Sequence, residues 1–320
     1  MKWLPTRSNK PEMRRIAIEI VTIIALLIYL IATIGVNQFI RTVQDTPQLI
    51  KYIWYHEFKN PTDFKVDFYG VTYLGRSGNI LDDLTLAYGA QEKPILYFLR
   101  DISKALNKPD LVFYDIGANV GQHTLFMSRI AKEVHSFEPY PPVLERLKAN
   151  VDFNHLENVK IHEIGLGDRN SSMKFFKPES NDSGTGGFIP RGDWGKQTYG
   201  LLPIYKGDGW ILKNHIKNPD LVKCDIEGYE KPALLGLKNT LNKSRPIIVM
   251  EITTGTEKAF KSLNDLLSTL PENYQIHVFC EWDNRTGHYK LCDADISFES
   301  LNIYNVVAYP IEKASLIPSN

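Results

Sequence analysis

The stretch Leu111–Thr124, LVFYDIGANVGQHT, constrains the fold more than any other part of the chain. Apolar residues from Leu111 to Tyr114 run into an acid, Asp115. Small residues at Gly117, Ala118 and Gly121 then make a turn, and a helical pattern follows. A strand, a glycine turn and a helix in that order set backbone N–H groups at the carboxyl end of a parallel strand, where open α/β sheets bind nucleotide-like ligands.

Beyond Asp110, strand-like and helix-like segments alternate. LVFYD, EVHSFEP, VKIHEI, LVKCD and RPIIVMEI read as strands. GQHTLFMSRIAK, PPVLERLKANVDFN, YEKPALLGLKNTL and TEKAFKSLNDLLSTL read as helices, and YQIHVFC and NIYNVVAYP as two late strands. Repeated βα units predict a parallel sheet covered by helices. Upstream, a helix is expected from about Gln91 to Leu106, and DFKVDFYGVTYLGR alternates about Gly70 as a small hairpin does. Residues 177–200 interrupt the rhythm between the third and fourth strands. They are rich in Gly, Ser, Asp and Pro and too long for a connecting turn, so they form either a functional loop or a surface insertion.

At the N-terminus the chain is almost wholly apolar from Ile16 to Val36, long enough to cross a bilayer core as a helix. The run shows no polar face at helical period. Residues 1–15 form a basic tail, and residues 37–90 a membrane-proximal helical segment and hairpin. Leu49, Ile50, Ile53, Trp54 and Tyr55 are placed for packing or for the membrane surface. The basic residues before the span put the N-terminus in the cytoplasm and the rest of the chain on the far side. Net charge is zero across 320 residues, which gives no support to a nucleic-acid partner. Three cysteines match neither a disulfide framework nor a zinc motif. Cys280 and Cys292 can face each other across a hairpin, but buried free thiols are the expectation.

The acids carry the chemistry. Asp115 before the glycines suits a cationic ligand better than a pyrophosphate, and the third glycine of a dinucleotide fingerprint is missing. S-adenosylmethionine fits, with an ammonium for Asp115 and a carboxylate for the backbone amides. Glu138 ends the second strand 21 residues after Gly117, near the offset at which an acid grips ribose hydroxyls. Asp168, after the third strand, can reach an adenine edge or simply make a turn. In Lys223–Glu230, KCDIEGYE, Asp225 and Glu227 stand two apart at the end of the fourth strand, and Glu251 ends the fifth. Such carboxylates can deprotonate a hydroxyl, hold a divalent metal or orient substrate hydroxyls; no metal ligands are assigned among them.

DIGANVGQHT, FEP with Leu147–Asn150, KCDIEGYE and the PIIVMEI strand together resemble the FkbM family of S-adenosylmethionine-dependent methyltransferases. The resemblance covers roughly residues 90 to 310. It implies a Rossmann-like, seven-stranded class I methyltransferase sheet with an antiparallel last strand over residues 91–310, then a tail, 311–320. Asp115, Gly117, Ala118, Asn119, Gly121, Thr124, Glu138 and Asp168 are the expected cofactor contacts. Asp225, Glu227 and Glu251 are the expected catalytic acids, with His123 and His135 as outsiders. Gln122-His123 departs from the small or aliphatic residues more usual there. The expected activity is O-methylation of a hydroxyl on a small molecule, sugar, glycan or lipid-linked compound, by a single-pass membrane protein. The cofactor is made in the cytosol while the charge bias points outward, which leaves the side of the domain open. An NAD(P)-dependent oxidoreductase and a non-catalytic membrane-tethered binding module of the same fold are the alternatives.

Overall fold

The computed structural model describes residues 36–178, 184–190, 197–254, 258–300 and 302–318. The chain divides at Lys51/Tyr52, and residues 52–320 form a compact unit of their own. Helix α1 (Val36–Ile53) runs across this division and leads into a single π turn, Trp54–Phe58. The apolar run from Ile16 falls outside the described residues except for Val36. Among the described residues no helix is long and apolar enough to cross a membrane.

The hairpin expected about Gly70 is β1 (Asp63–Phe68) and β2 (Val71–Arg76), turning at Tyr69–Gly70. Helix α2 (Ile80–Tyr88), capped by the Asn79 side chain, was not legible as a separate element. Helix α3 (Lys93–Leu106) follows, starting two residues later than expected.

The main sheet is built from β3 (Val112–Ile116), β4 (Glu133–Phe137), β5 (Val159–His162), β9 (Leu221–Cys224) and β10 (Ile247–Thr253), all parallel. To these are added β11 (Tyr274–Asp283), β12 (His288–Asp293) and β13 (Ile303–Pro310). The order is β12-β11-β13-β10-β9-β3-β4-β5, and the last strand, β13, inserts antiparallel between β10 and β11. The sheet therefore has eight strands, one more than expected. The extra one, β12, returns from β11 as an edge hairpin.

Alternate residues of the central strands feed two apolar cores. Phe113, Val134, Leu221, Val249 and Val307 face α3, α4 (Gln122–Ser128) and the β1–β2 hairpin. Val112, Tyr114, Val222, Cys224, Ile248 and Met250 face the opposite way, towards α6 (Gly207–Lys213), α7 (Glu230–Gly236), α8 (Lys238–Ser244) and α9 (Leu263–Thr269). Burial on both faces explains why these strands read as continuous apolar runs.

Helix α5 (Pro141–Phe153) and the Asn that follows it secure the hairpin through paired asparagines. Asn150 Oδ1 accepts the Leu74 N–H at 2.7 Å while its Nδ2 donates to Val120 O at 3.0 Å. Asn154 pairs both ways with the Thr72 backbone at 2.7 Å. Two side chains one turn apart thus supply the hydrogen bonds that a neighbouring strand would give the edge of β2.

Part of the interruption at 177–200 is the tip of a second, three-stranded sheet. Its strands β6 (Gly165–Gly167), β7 (Ser171–Phe176) and β8 (Thr198–Lys206) lie in the order β6-β8-β7. The cysteine expectation also changes. Cys280 and Cys292 form a disulfide across the β11–β12 hairpin, Cα–Cα 5.8 Å, and Cys224 alone is a buried free thiol. Both bonded cysteines lie on an edge hairpin rather than in the core, so the argument from burial does not apply to them.

Candidate active site

Period-two alternation gathers the charged residues on one face of the sheet, near its carboxyl edge. Asp115 of β3 is the register neighbour of Lys223 in β9, which in turn neighbours Val249 of β10. Asp225 and Glu251, two residues further along, continue that face. Lys223 Nζ donates to Asp225 Oδ2 at 2.9 Å and the residue is only 5% exposed. Burial works to lower the Lys223 pKa, but the carboxylates of Asp225, Glu92 and Asp115 outweigh it and hold the ammonium above the ordinary lysine value.

These residues edge a cleft whose empty space, its mouth included, is about 1070 Å³. Its walls are Gly117–Gly121, Glu138–Tyr140, Ile164–Leu166, the Asp225–Glu227 turn, Glu251, and the tip residues Gly184, Gly186, Gly187 and Phe188.

The glycines of the turn permit close approach. Gly117 has φ 83°, and a Cβ there would stand 1.9 Å from the Asp225 carbonyl oxygen. Gly121 has φ 97°, and a Cβ there would stand 2.5 Å from Leu147 Cδ1. The amides of the turn are consumed internally. Gly117 and Ala118 both donate to Phe137 O, Gly121 donates to Ala118 O, and Asn119 donates to Glu138 Oε2 at 2.9 Å. The turn contributes shape, and these four amides, expected among the backbone groups that meet a ligand carboxylate, are already paired with protein acceptors.

Asp115 is 0% exposed and sits behind the cleft wall. Its Oδ2 accepts the Thr124 hydroxyl at 2.6 Å, and Thr124 Oγ1 is also 2.6 Å from Ser136 Oγ. Among the described residues Asp115 Oδ1 has no hydrogen-bond partner. Burial raises the Asp115 pKa, and Lys223 opposes that rise. Asp115 and Thr124 thus brace the turn from beneath. Glu138 does face the cleft. Its two oxygens accept the Asn119 and Tyr140 N–H groups at 2.9 and 2.8 Å, and each keeps a lone pair for a further donor. Burial pushes its pKa up to about 7. Asp168 is exposed, 3.9 Å from its neighbour Arg169, and the cleft wall in that region is Ile164–Leu166 instead.

Within KCDIEGYE the acids divide their work. Asp225 and Glu227 line the cleft, with Glu227 left-handed at φ 60°. Glu230 is buried behind them, and its Oε1 accepts the Ile226 and Gly228 N–H groups at 3.0 and 3.1 Å, which fixes the turn. Glu251 reaches the same cleft from β10. Of the two histidines, His123 lines the cleft, whereas His135 is buried 3.1 Å from His162 away from it.

Sequence reasoning missed Glu92. It precedes α3 in a left-handed conformation, φ 50°, and its carboxylate lies within 4.8 Å of those of Asp225 and Glu251. Burial raises its pKa to about 7. The only signal in the sequence is an acid just ahead of Lys93-Pro94, an ordinary helix start.

A parallel sheet closed by an antiparallel late strand, with a glycine turn, a ribose-type acid and a carboxylate row on one edge, defines a methyltransferase-like α/β domain. The chain belongs to the FkbM methyltransferase family, whose domain matches residues 115–276, just over half of its length. The cofactor of this class is S-adenosylmethionine. The chain is 29% identical to hexuronic acid methyltransferase AglP of Haloferax volcanii, over 50% of this chain and 62% of that one. It is 27% identical to 2-O-methyltransferase NoeI of Sinorhizobium fredii, over 46% of this chain and 65% of that one. It thus spans less than two thirds of either relative. The crystal structure of an FkbM methyltransferase from Methylobacillus flagellatus KT aligns with TM-score 0.40 and 17% identity, covering 62% of this chain and 44% of that one.

Proposed function

We propose that this protein transfers a methyl group from S-adenosylmethionine to a hydroxyl oxygen of a sugar or glycan-like acceptor. The observation that carries this reading is the cleft itself, where Glu138 at one end and Asp225, Glu227 and Glu251 at the other face a common space. The residues present suit the cofactor. Carboxylates outnumber the one buried ammonium, as a ligand bearing a sulfonium requires, and Glu138 keeps two lone pairs for a ribose diol. Bound there, S-adenosylmethionine supplies an activated methyl group for an in-line displacement. The names of the two curated relatives, a hexuronic acid methyltransferase and a 2-O-methyltransferase, favour a sugar-type acceptor and an oxygen nucleophile.

Asp225 or Glu227 would take the acceptor's hydroxyl proton. Lys223 fixes Asp225 from behind, and Glu230 fixes the turn that carries Glu227. Glu251 orients a neighbouring hydroxyl. The aromatic residues Phe175, Phe188 and Tyr229 pack in series by the tip and exclude water from that side. We further propose that residues 16–36 anchor the protein in a membrane, with the exposed Leu49, Ile50, Ile53 and Trp54 at its surface.

The test is Asp225→Asn and Glu227→Gln in the full chain, with labelled S-adenosylmethionine and uronic-acid or oligosaccharide acceptors. Transfer should fall at least a hundredfold in one of the two, by the usual size of a lost general base, while calorimetric cofactor affinity stays within about threefold. Tight nicotinamide binding without S-adenosylmethionine binding would overturn the reading.

A further inference from the structure

The carboxylate cluster in the cleft is built as an ion site. We propose that Glu92, Asp225 and Glu251 hold a hard divalent cation, Mg²⁺ or Mn²⁺, with His123 at its edge. One carboxylate oxygen from each acid lies within 4.8 Å of the other two. Around Mg²⁺ adjacent oxygens stand about 3 Å apart and opposite ones about 4.2 Å apart, so the three carboxylates, already gathered, draw closer as the ion binds. All three donors are oxygens, the ligand type that suits Mg²⁺ and Mn²⁺. They come from three separate segments, the start of α3, the end of β9 and β10, and Lys223 pairs with Asp225 among them.

His123 is the independent observation. It is 7% exposed, and among the described residues its Nε2 has no hydrogen-bond partner, although it points to within 3.7 Å of Glu92 Oε2. A buried imidazole nitrogen left bare against a carboxylate has a use beside a hydrated cation, whose bound water it can contact.

Glu92 is also held on purpose. The Gln91 N–H donates to Gln122 Oε1 at 3.0 Å, Gln122 Nε2 donates to Thr85 Oγ1 at 2.6 Å, and the Lys93 N–H donates to Asn284 Oδ1 at 2.8 Å. Clamps on both neighbours maintain a left-handed backbone that a glutamate does not choose by itself. The role of the ion in transfer, polarising the acceptor hydroxyl, rests on the reading of the previous subsection. Ion binding does not.

The experiment is titration of the full chain in detergent with Mn²⁺ alone, read by calorimetry and by electron paramagnetic resonance, with S-adenosylmethionine affinity measured on the same samples. One Mn²⁺ should bind per chain, competed by Mg²⁺, and Glu92→Gln and Glu251→Gln should each weaken it at least tenfold. Cofactor affinity in Glu92→Gln should stay within about threefold. Removing one of several crowded carboxylates should leave the apo melting temperature unchanged or higher, whereas the rise induced by Mn²⁺ should vanish. Absence of a stoichiometric Mn²⁺ site, or a site indifferent to both substitutions, overturns the proposal. Failure of cofactor binding with Mn²⁺ binding intact would instead count against the methyl-transfer reading.

Discussion

Glu230→Gln should stabilise the protein at alkaline pH, although it removes a charge from the end of the KCDIEGYE block. Glu230 is 2% exposed, and burial raises its pKa from 4.5 to about 7 despite the backbone N–H groups it accepts. A shift of about 2.5 units corresponds to about 3.4 kcal/mol. The folded state holds its proton more tightly than the unfolded chain, so this stability is fully present below pH 4.5 and is lost as pH rises through about 7. Glutamine has no proton to lose, and its carbonyl oxygen can accept the same Ile226 and Gly228 N–H groups. Glu92 and Glu138 also carry pKa values near 7, so the wild-type slope has several contributors. The difference between variant and wild type isolates Glu230. In urea unfolding, that difference should grow in favour of the variant by about 2.5 kcal/mol between pH 5 and pH 8, the part of the 3.4 kcal/mol titrated in that window. A variant less stable than wild type at pH 8, or a difference flat with pH, would refute the claim that burial outweighs the hydrogen bonds.

Two further substitutions test the scaffold. Gly117→Ala places a methyl 1.9 Å from the Asp225 carbonyl oxygen at φ 83°, so it should cost about 2–4 kcal/mol of stability and at least tenfold in cofactor affinity, read by thermal unfolding and calorimetry. Asn150→Ala leaves the Leu74 N–H and Val120 O without their side-chain partner, so it should cost about 3 kcal/mol and speed amide exchange at Leu74 selectively over the β3 amides.

The central strands were legible because they are buried on both faces, and an apolar run between turn residues survives as a signal without any partner. The alignment of Asp115, Glu138, Asp225 and Glu251 followed from the same fact, since each ends a strand or lies near its end. What could not be read were matters of partnership. Strands β7 and β8 show no clean period-two pattern and flank a Gly-rich stretch, so SSMKFF and TYGLLPIYK look like loop margins until they pair. The segment TEKAFKSLNDLLSTL reduces to a seven-residue helix, Leu263–Thr269, because Ser262 caps it and accepts the Asp265 N–H. Asp168 was matched by position to an adenine edge, but strand β6 ends before it and leaves it exposed. Asp115 has the residue type for a cation and yet is spent on Thr124, a burial that no spacing rule conveys.

Glu92 shows where the motif-bearing part of the chain stops being sufficient. The FkbM match begins at residue 115, so the elements it contains supply the glycine turn, Glu138 and two of the three converging carboxylates. The third comes from the segment before it, and the residues that hold it there include Gln122. His123, the next residue, points at the same carboxylate. Two residues adjacent in sequence therefore tie the preceding segment to the cleft. The remaining wall is the tip beside β7, where a Cβ on Gly187 would stand 3.0 Å from Glu227 Cβ. On the proposed reading, the Glu92 segment and the tip residues Gly184, Gly186, Gly187 and Phe188 are the parts of the cleft wall left to meet the acceptor. Exchanging the tip residues 184–188 should change which acceptor is methylated while leaving cofactor affinity intact, since among the described residues neither Glu138 nor Gly117 draws a hydrogen bond from them.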